Sequence, residues 1–231
     1  MLTMENIFNE IRENGGSTPC RKVNEIAMRF PDKVAFRDKR FGIWSEISYQ
    51  SFWEQAQWVG CALNYFGVDS FNKVAVHSEN RPEWIIADIG IQSIRAITVG
   101  LYPTNPPSEV KYLLGHSETK VLFAEDQEQV DKALEVMNEL PNLKKIIYFE
   151  DRGVVGYKDE ILMSWEEFLD IGKKEHEKNK DFVTSRMEEI ESGDVACLIY
   201  TSGTTGPPKG SMVSHGNLEW CGSIIPKLSF T

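Results

Sequence analysis

The sequence predicts an α/β fold, layered helix–sheet–helix around a mainly parallel sheet. Two observations carry this. Short apolar runs recur along the chain, each followed by an amphipathic stretch of helical period, and strands alternating with helices build parallel sheets through right-handed crossovers. Capping and stopping residues also fall at the junctions, where strand gives way to helix or a helix ends.

Taken in order, segments 34–36 and 43–47 read as a hairpin, and Ser48 caps a long helix over 49–66 that Gly67 ends. Residues 73–77 (KVAVH) form a buried strand. Asn80 and Pro82 open the next helix, with Trp84, Ala87, Ile91 and Ile94 on one face at helical spacing. Strand 96–101 (AITVGL) completes a βαβ unit. Ser108 caps a short helix through Leu114, which Gly115 is placed to end. Strand 119–124, helix 127–140 stopped by Pro141, and strand 144–149 continue the pattern. Residues 150–160 are a loop, and Ser164 with Glu167 matches a capping box. The run 173–181 (KKEHEKNKD) reads as a solvated helix face or surface connection. Segment 194–200 (DVACLIY) is a further strand. Three parts are expected: a hairpin-and-helix region over 1–72 packing on the core, a βα-repeat unit over 73–193, and 194–231 as the start of a next unit.

Composition narrows function. The 231 residues carry 25 basic and 35 acidic side chains, a formal charge of −10. Non-specific nucleic-acid binding needs clustered Lys and Arg, so this acidic balance argues against it. Cys20, Cys61, Cys197 and Cys221 lie far apart, which fits neither a zinc site nor a disulfide framework and points to a reducing, cytoplasmic compartment. The first residues lack the basic start and apolar core of a signal peptide. The most apolar stretch, 84–101, holds Asp88 and Arg95 in its middle and cannot span a membrane without burying both charges. Peripheral membrane contact stays open.

The chemistry sits at 200–210, YTSGTTGPPKG. Gly203 and Gly206 permit positive φ, so successive N–H groups can turn inward as an anion nest. Thr201, Ser202, Thr204 and Thr205 add hydroxyls, which donate, accept or ligate a metal. Lys209 brings a compact positive charge suited to phosphate. Pro207 and Pro208 stiffen the exit and reduce the entropy lost on ordering. A plain flexible turn with an exposed lysine is the competing reading. The G-x-x-x-x-G-K-[ST] pattern of P-loop NTPases is not met, because the glycines are too close and Lys209 follows proline.

Segment 200–210 resembles, over eleven consecutive positions, the signature of the adenylate-forming superfamily of acyl- and aryl-CoA synthetases, peptide-synthetase adenylation domains and luciferases. Segments 30–36 (FPDKVAF), 80–84 (NRPEW), 99–107 (VGLYPTNPP), 110–117, 120–125 and 211–218 (SMVSHGNL) extend the likeness over nearly the whole chain. It is most similar to long-chain fatty acid CoA ligases of the bubblegum-like branch and their bacterial relatives. The resemblance implies part of the large N-terminal domain of such a ligase. Its substrates would be a fatty acid, ATP and coenzyme A, with Mg²⁺. Thr201, Ser202, Gly203, Thr204, Thr205, Gly206 and Lys209 would cradle the β- and γ-phosphates, and Thr201 is the candidate metal-side hydroxyl. His215 is a candidate for the substrate side. The superfamily's later motifs are absent, so the resemblance implies a chain ending inside that domain and completing neither half-reaction alone. An aryl or amino acid substrate and a non-catalytic nucleotide-binding module remain the alternatives.

Other candidates read as structural. His77, at a strand end, is a core or loop-edge histidine, while His116 and His176 are surface residues without partners at metal-ligand spacing. Trp53 and Trp58 face the core of their helix. Residues 102–107 (YPTNPP) form a rigid strand exit, read first as a plain turn; at the edge where open α/β sheets bind ligands, it could also border an acyl tunnel.

Overall fold

The computed structural model describes residues 18–201 and 206–228. Helix α1 (Pro19–Arg29) starts with proline in its first turn, where no intrahelical N–H is needed. Strands β1 (Val34–Arg40) and β2 (Ile43–Ser48) pair antiparallel through a two-residue turn. Phe41 (φ 50°) and Gly42 (φ 82°) both take positive φ there, the conformation of a type I′ hairpin. Ser48 then caps α2 (Tyr49–Tyr65), its Oγ accepting from the Ser51 N–H at 3.2 Å.

The main sheet has seven strands. They are β3 (Lys73–His77), β4 (Ile97–Leu101), β5 (Val121–Ala124), β6 (Lys145–Tyr148), β7 (Leu162–Ser164), β8 (Val195–Thr201) and β9 (Lys209–Ser214). Their spatial order is β7-β6-β5-β3-β4-β8-β9, parallel throughout except for β8 against β9. Helices α3 (Pro82–Ser93), α4 (Pro107–His116), α5 (Gln127–Val136), α6 (Trp165–Lys178) and α7 (Phe182–Glu188) connect the strands, and α8 (His215–Leu228) follows β9.

Strand residues alternate between two cores, as a period of two requires. Val74, Val76, Val121, Phe123 and Ile147 pack with α1, α2, α3, α6 and α7 on one face. Ala75, Val99, Leu122, Ala124 and Ile146 pack with α4 and α5 on the other. A parallel sheet covered on both faces is the expected three-layer architecture. The part placed in a separate unit from residue 194 shares this sheet: β8 pairs with β4 through Thr98–Cys197 and Gly100–Ile199. Sheet continuity therefore crosses residue 193.

Several boundaries differ from expectation. Helix α3 is capped by Arg81 rather than Asn80, and α4 begins at Pro107 with Pro106 ahead of it, so Ser108 is already helical. The proline ring fixes a helical φ at both starts. Helix α5 is shorter than the expected 127–140 and tightens into a 3₁₀ turn, Met137–Glu139. The capping box at α6 is present, with Ser164 Oγ and the Glu167 carboxylate each accepting from the other's backbone N–H. Helix α3 buries more than the expected face, because it lies between the sheet and α2, with Ile86, Ile89, Ile91 and Gln92 all covered.

Edge loops are fixed by charge. Arg81 is pinned between Glu83 (2.8 Å), Glu150 (2.8 Å) and Glu125 (3.9 Å), over the Phe149 ring at 5.2 Å. The carboxylate of Glu125 also accepts from the Glu79 N–H at 2.6 Å. One guanidinium thus ties together the chain leaving β3, β5 and β6.

Close helix packing gives the first prediction. Gly172 of α6 lies against the α2 backbone, and an added methyl group would overlap the Trp58 carbonyl oxygen. Gly172→Ala should therefore destabilise the chain by about 3 kcal/mol, read as a lower urea midpoint, because backbone atoms cannot yield as a flexible side chain can.

Candidate phosphate-binding site

Strand β8 delivers the 200–210 segment to the carboxyl edge of the sheet, beside His77, Leu101 and Ala124 at the ends of β3, β4 and β5. Its last residue, Thr201, is exposed. The chain returns as β9, and the antiparallel register sets Lys209 directly opposite Thr201. Ser202, Gly203, Thr204 and Thr205 lie outside the described residues. Gly206 has a φ of +90°, a conformation that favours glycine at this turn back into β9. Lys209 is solvent-exposed, so its ammonium is available to an anion at the strand ends. Of the seven residues expected to form a cradle, the register sets Thr201 and Lys209 side by side, with Gly206 three residues before Lys209.

A second layer braces these strands from α4. The Tyr112 hydroxyl donates to the Pro208 carbonyl at 2.9 Å, on the exit side of the loop. His116 Nδ1 and the Tyr200 hydroxyl are hydrogen-bonded at 2.7 Å, on the entry side. The His116 ring stacks on Tyr112 (5.4 Å between centroids) and meets Tyr200 edge-on (5.7 Å). Burial pushes the Tyr200 phenol above its usual pKa, so it stays protonated and able to donate. His116 is on the surface as expected, and it also has a specific hydrogen-bond partner in Tyr200. Its partner lies 84 residues away, beyond any local sequence signal.

His215 lies elsewhere. It follows Ser214, which pairs with Val195 at the amino end of β8, about 20 Å along the strand from Thr201 at ~3.3 Å per residue. It is 1% exposed, and its N–H donates to the Asp194 carbonyl at 2.9 Å. Asp194 itself is bound by Arg95 at 2.8 Å. This position is at the opposite edge of the sheet from the 200–210 turn, because the antiparallel return of β9 carries His215 away from the loop. His77 is buried, with Nε2 at 3.0 Å from the Tyr102 carbonyl, the structural role expected. His176 sits in the last turn of α6.

Two cavities open at the carboxyl edge. One of about 390 Å³ adjoins the loop strand and is walled by Trp84, Gly100, Tyr102, Cys197, Ile199 and Tyr200. Its size suits a small-molecule site. Burial, reinforced by the nearby Asp88, pushes the Cys197 thiol up to about 11, so it lines the cleft as an apolar group. The other cavity, about 900 Å³, lies past the ends of β5 and β6. Asp38, Asp126, Glu128 and Glu150 outnumber Arg81 and Arg152 in its lining, which disfavours a phosphate. The smaller cleft is the better candidate despite its size. Among the described residues no group of three His, Cys, Asp or Glu side chains could hold a metal ion, and no helix is long and apolar enough to cross a membrane.

This edge defines an α/β protein with a turn bearing Thr201, Gly206 and Lys209 at the end of one sheet strand. The family model of AMP-binding enzymes matches residues 23–226, and the chain belongs to that family. Over 207 residues it is 33% identical to the long-chain-fatty-acid–CoA ligase ACSBG2 of Xenopus laevis, covering 88% of this chain and 27% of that protein. It is 28% identical to human ACSBG1 over 203 residues, covering 88% and 27% respectively. The chain thus spans about 27% of the length of these curated relatives. In fold it matches a protein assigned as a long-chain-fatty-acid CoA ligase from Rhodopseudomonas palustris. That match has a TM-score of 0.72 at 21% identity, covering 92% of this chain and 48% of the other. Acetoacetyl-CoA synthetase from Streptomyces lividans aligns with a TM-score of 0.70 at 18% identity, covering 87% and 31%.

The two buried histidines predict a pH dependence. Burial pushes His77 and His215 down to about 4, and the Nδ1 of each has no partner among the described residues. The unfolded histidine, near 6.5, binds protons that the folded one refuses, so stability is full above pH 6.5 and declines toward pH 4. Each contributes up to ~3 kcal/mol to this decline. Urea unfolding at pH 7 and pH 4.5 checks it: His77→Gln and His215→Gln should each flatten the dependence.

Proposed function

We propose that this chain is the phosphate-loop portion of a long-chain fatty acid–CoA ligase of the AMP-forming type. With the remaining length its relatives possess, the protein would join a fatty carboxylate to ATP, releasing pyrophosphate, and pass the acyl group from the adenylate to the thiol of coenzyme A. The observation that carries the reading is the register of β8 and β9, which sets Lys209 opposite Thr201 at the mouth of the 200–210 turn. Membership of the AMP-binding family and the names of the curated relatives support the reaction class and the fatty acid.

In this reading the residues of the turn position and neutralise the polyphosphate. The N–H groups around Gly203 and Gly206, with the hydroxyls of Thr201, Ser202, Thr204 and Thr205, hold the β- and γ-phosphates in line for departure. Lys209 offsets the negative charge that builds on pyrophosphate as its bond to the α-phosphorus breaks. The proton inventory does not involve Lys209, which serves as a fixed charge. Mg²⁺ usually takes one or two carboxylates along with substrate phosphates. Among the described residues no group of three His, Cys, Asp or Glu side chains could hold the ion, and a Mg²⁺ carried by the nucleotide would be touched through the Thr201 hydroxyl. The cleft beside the loop, with Trp84, Tyr102 and Ile199, supports an apolar acyl group next to the reacting carboxylate.

The test is binding of ATP to the 231-residue chain by isothermal titration calorimetry. Lys209→Ala should weaken it about 10- to 100-fold, the worth of a hydrogen bond to a charged group. In a chain of the relatives' full length, the same change should slow fatty-acid-dependent exchange of pyrophosphate into ATP by a similar factor. Unchanged affinity would remove Lys209 from the phosphate site.

A further inference from the structure

Helix α4 is joined to both sides of the 200–210 turn, although none of its residues belongs to it. On the entry side, Tyr200 immediately precedes Thr201, and its hydroxyl is held by His116. On the exit side, Pro208 immediately precedes Lys209, and its carbonyl takes a hydrogen bond from Tyr112. Tyr112 and His116 are one helical turn apart, so their rings stack on one face of α4. The Tyr200 ring closes the cluster: it is 8% exposed, and a methyl group on Gly210 would come within 3.2 Å of it. The carbonyl and the phenol that α4 grips therefore flank the residues facing each other across the mouth, Thr201 and Lys209.

We propose that Tyr112 and His116 are positioning residues for the phosphate loop, latching its two ends to α4 so that Thr201 and Lys209 are preset for a polyphosphate. The proposal rests on the phosphate reading of the loop and adds to it a support outside the motif. Its physical basis is entropy. Groups that hold a ligand must be fixed in place when it binds, and fixing Thr201 and Lys209 in advance removes part of that cost from binding. The α4 residues touch no phosphate in this arrangement and act through Tyr200 and Pro208. The backbone of α4 is itself anchored, with Val110, Leu113 and Leu114 buried in the core beneath the sheet.

The test uses the 231-residue chain with inorganic pyrophosphate as ligand, and amide hydrogen exchange over 201–210 in the free protein. Tyr112→Phe deletes one hydroxyl and keeps the ring. It should speed exchange in this segment and weaken pyrophosphate binding, each about 3- to 10-fold, the worth of one neutral hydrogen bond, while the melting temperature falls by no more than about 4 °C. His116→Ala should do the same, and His116→Asn, whose side-chain amide can hydrogen-bond the Tyr200 phenol from the position of Nδ1, should restore both readouts. Tyr112→Phe binding pyrophosphate as the parent does, while Lys209→Ala weakens it, would overturn the latch and leave the phosphate reading standing. Faster exchange with unaltered affinity would overturn it as well. A parent chain without affinity for pyrophosphate would instead remove the phosphate reading, and the proposal with it.

Discussion

Strand β8 has a different neighbour relation on each side, parallel to β4 and antiparallel to β9, and the site follows from that. Parallel pairing with β4 sends its carboxyl end to the same edge as the ends of β3 and β5, where loops of an open α/β sheet gather around a ligand. Antiparallel pairing with β9 brings the chain straight back. Lys209, eight residues further along, thereby stands beside Thr201 rather than on another loop. The same reversal puts His215 at the far edge of the sheet. A single register therefore sets one candidate residue beside Thr201 and another at the far edge.

Two helical layers hold β8 in that place. The α4 and α5 side packs against Val99, Leu122 and Ile146, and the side carrying α2, α3 and α6 packs against Val76, Phe123 and Ile147. Close approach within the second layer depends on Gly172 against Trp58 and on Gly90 against Val59, where side chains would force the helices apart. At the carboxyl edge, charge divides the surface. Arg81 gathers Glu83, Glu125 and Glu150, leaving the larger cavity rich in carboxylates, while the cleft beside β8 is lined by Trp84, Cys197 and Ile199 with Lys209 at the nearby turn. Phosphate and apolar chain are better matched to the second region than to the first.

The elements legible in the sequence are those whose determinants lie within a few residues. The strand at Lys73–His77, the Ser48 cap of α2 and the Ser164–Glu167 capping box appear as expected, because alternation and capping act over one to four residues. The three-residue strand β7 and the short helix α7 carry too few residues to show a period, and neither is expected from the sequence. The helix starts at Arg81 and Pro106 show a local conflict, in which proline at the first helical position overrode the better-capping Asn80 and Ser108.

The sequence by itself determined the fold class, the place of the phosphate motif after a strand, and the residue types that could hold an anion there. Each depends on composition and short-range order. Tertiary structure decided that β8 joins the sheet containing β3 to β7 and that Lys209 stands opposite Thr201. It also decided that His215 lies at the amino edge, and that His116 has the Tyr200 phenol as its partner. These are pairings between residues up to 99 positions apart. Sheet order and the burial of two opposed faces select them, and neither leaves a periodic trace in the chain.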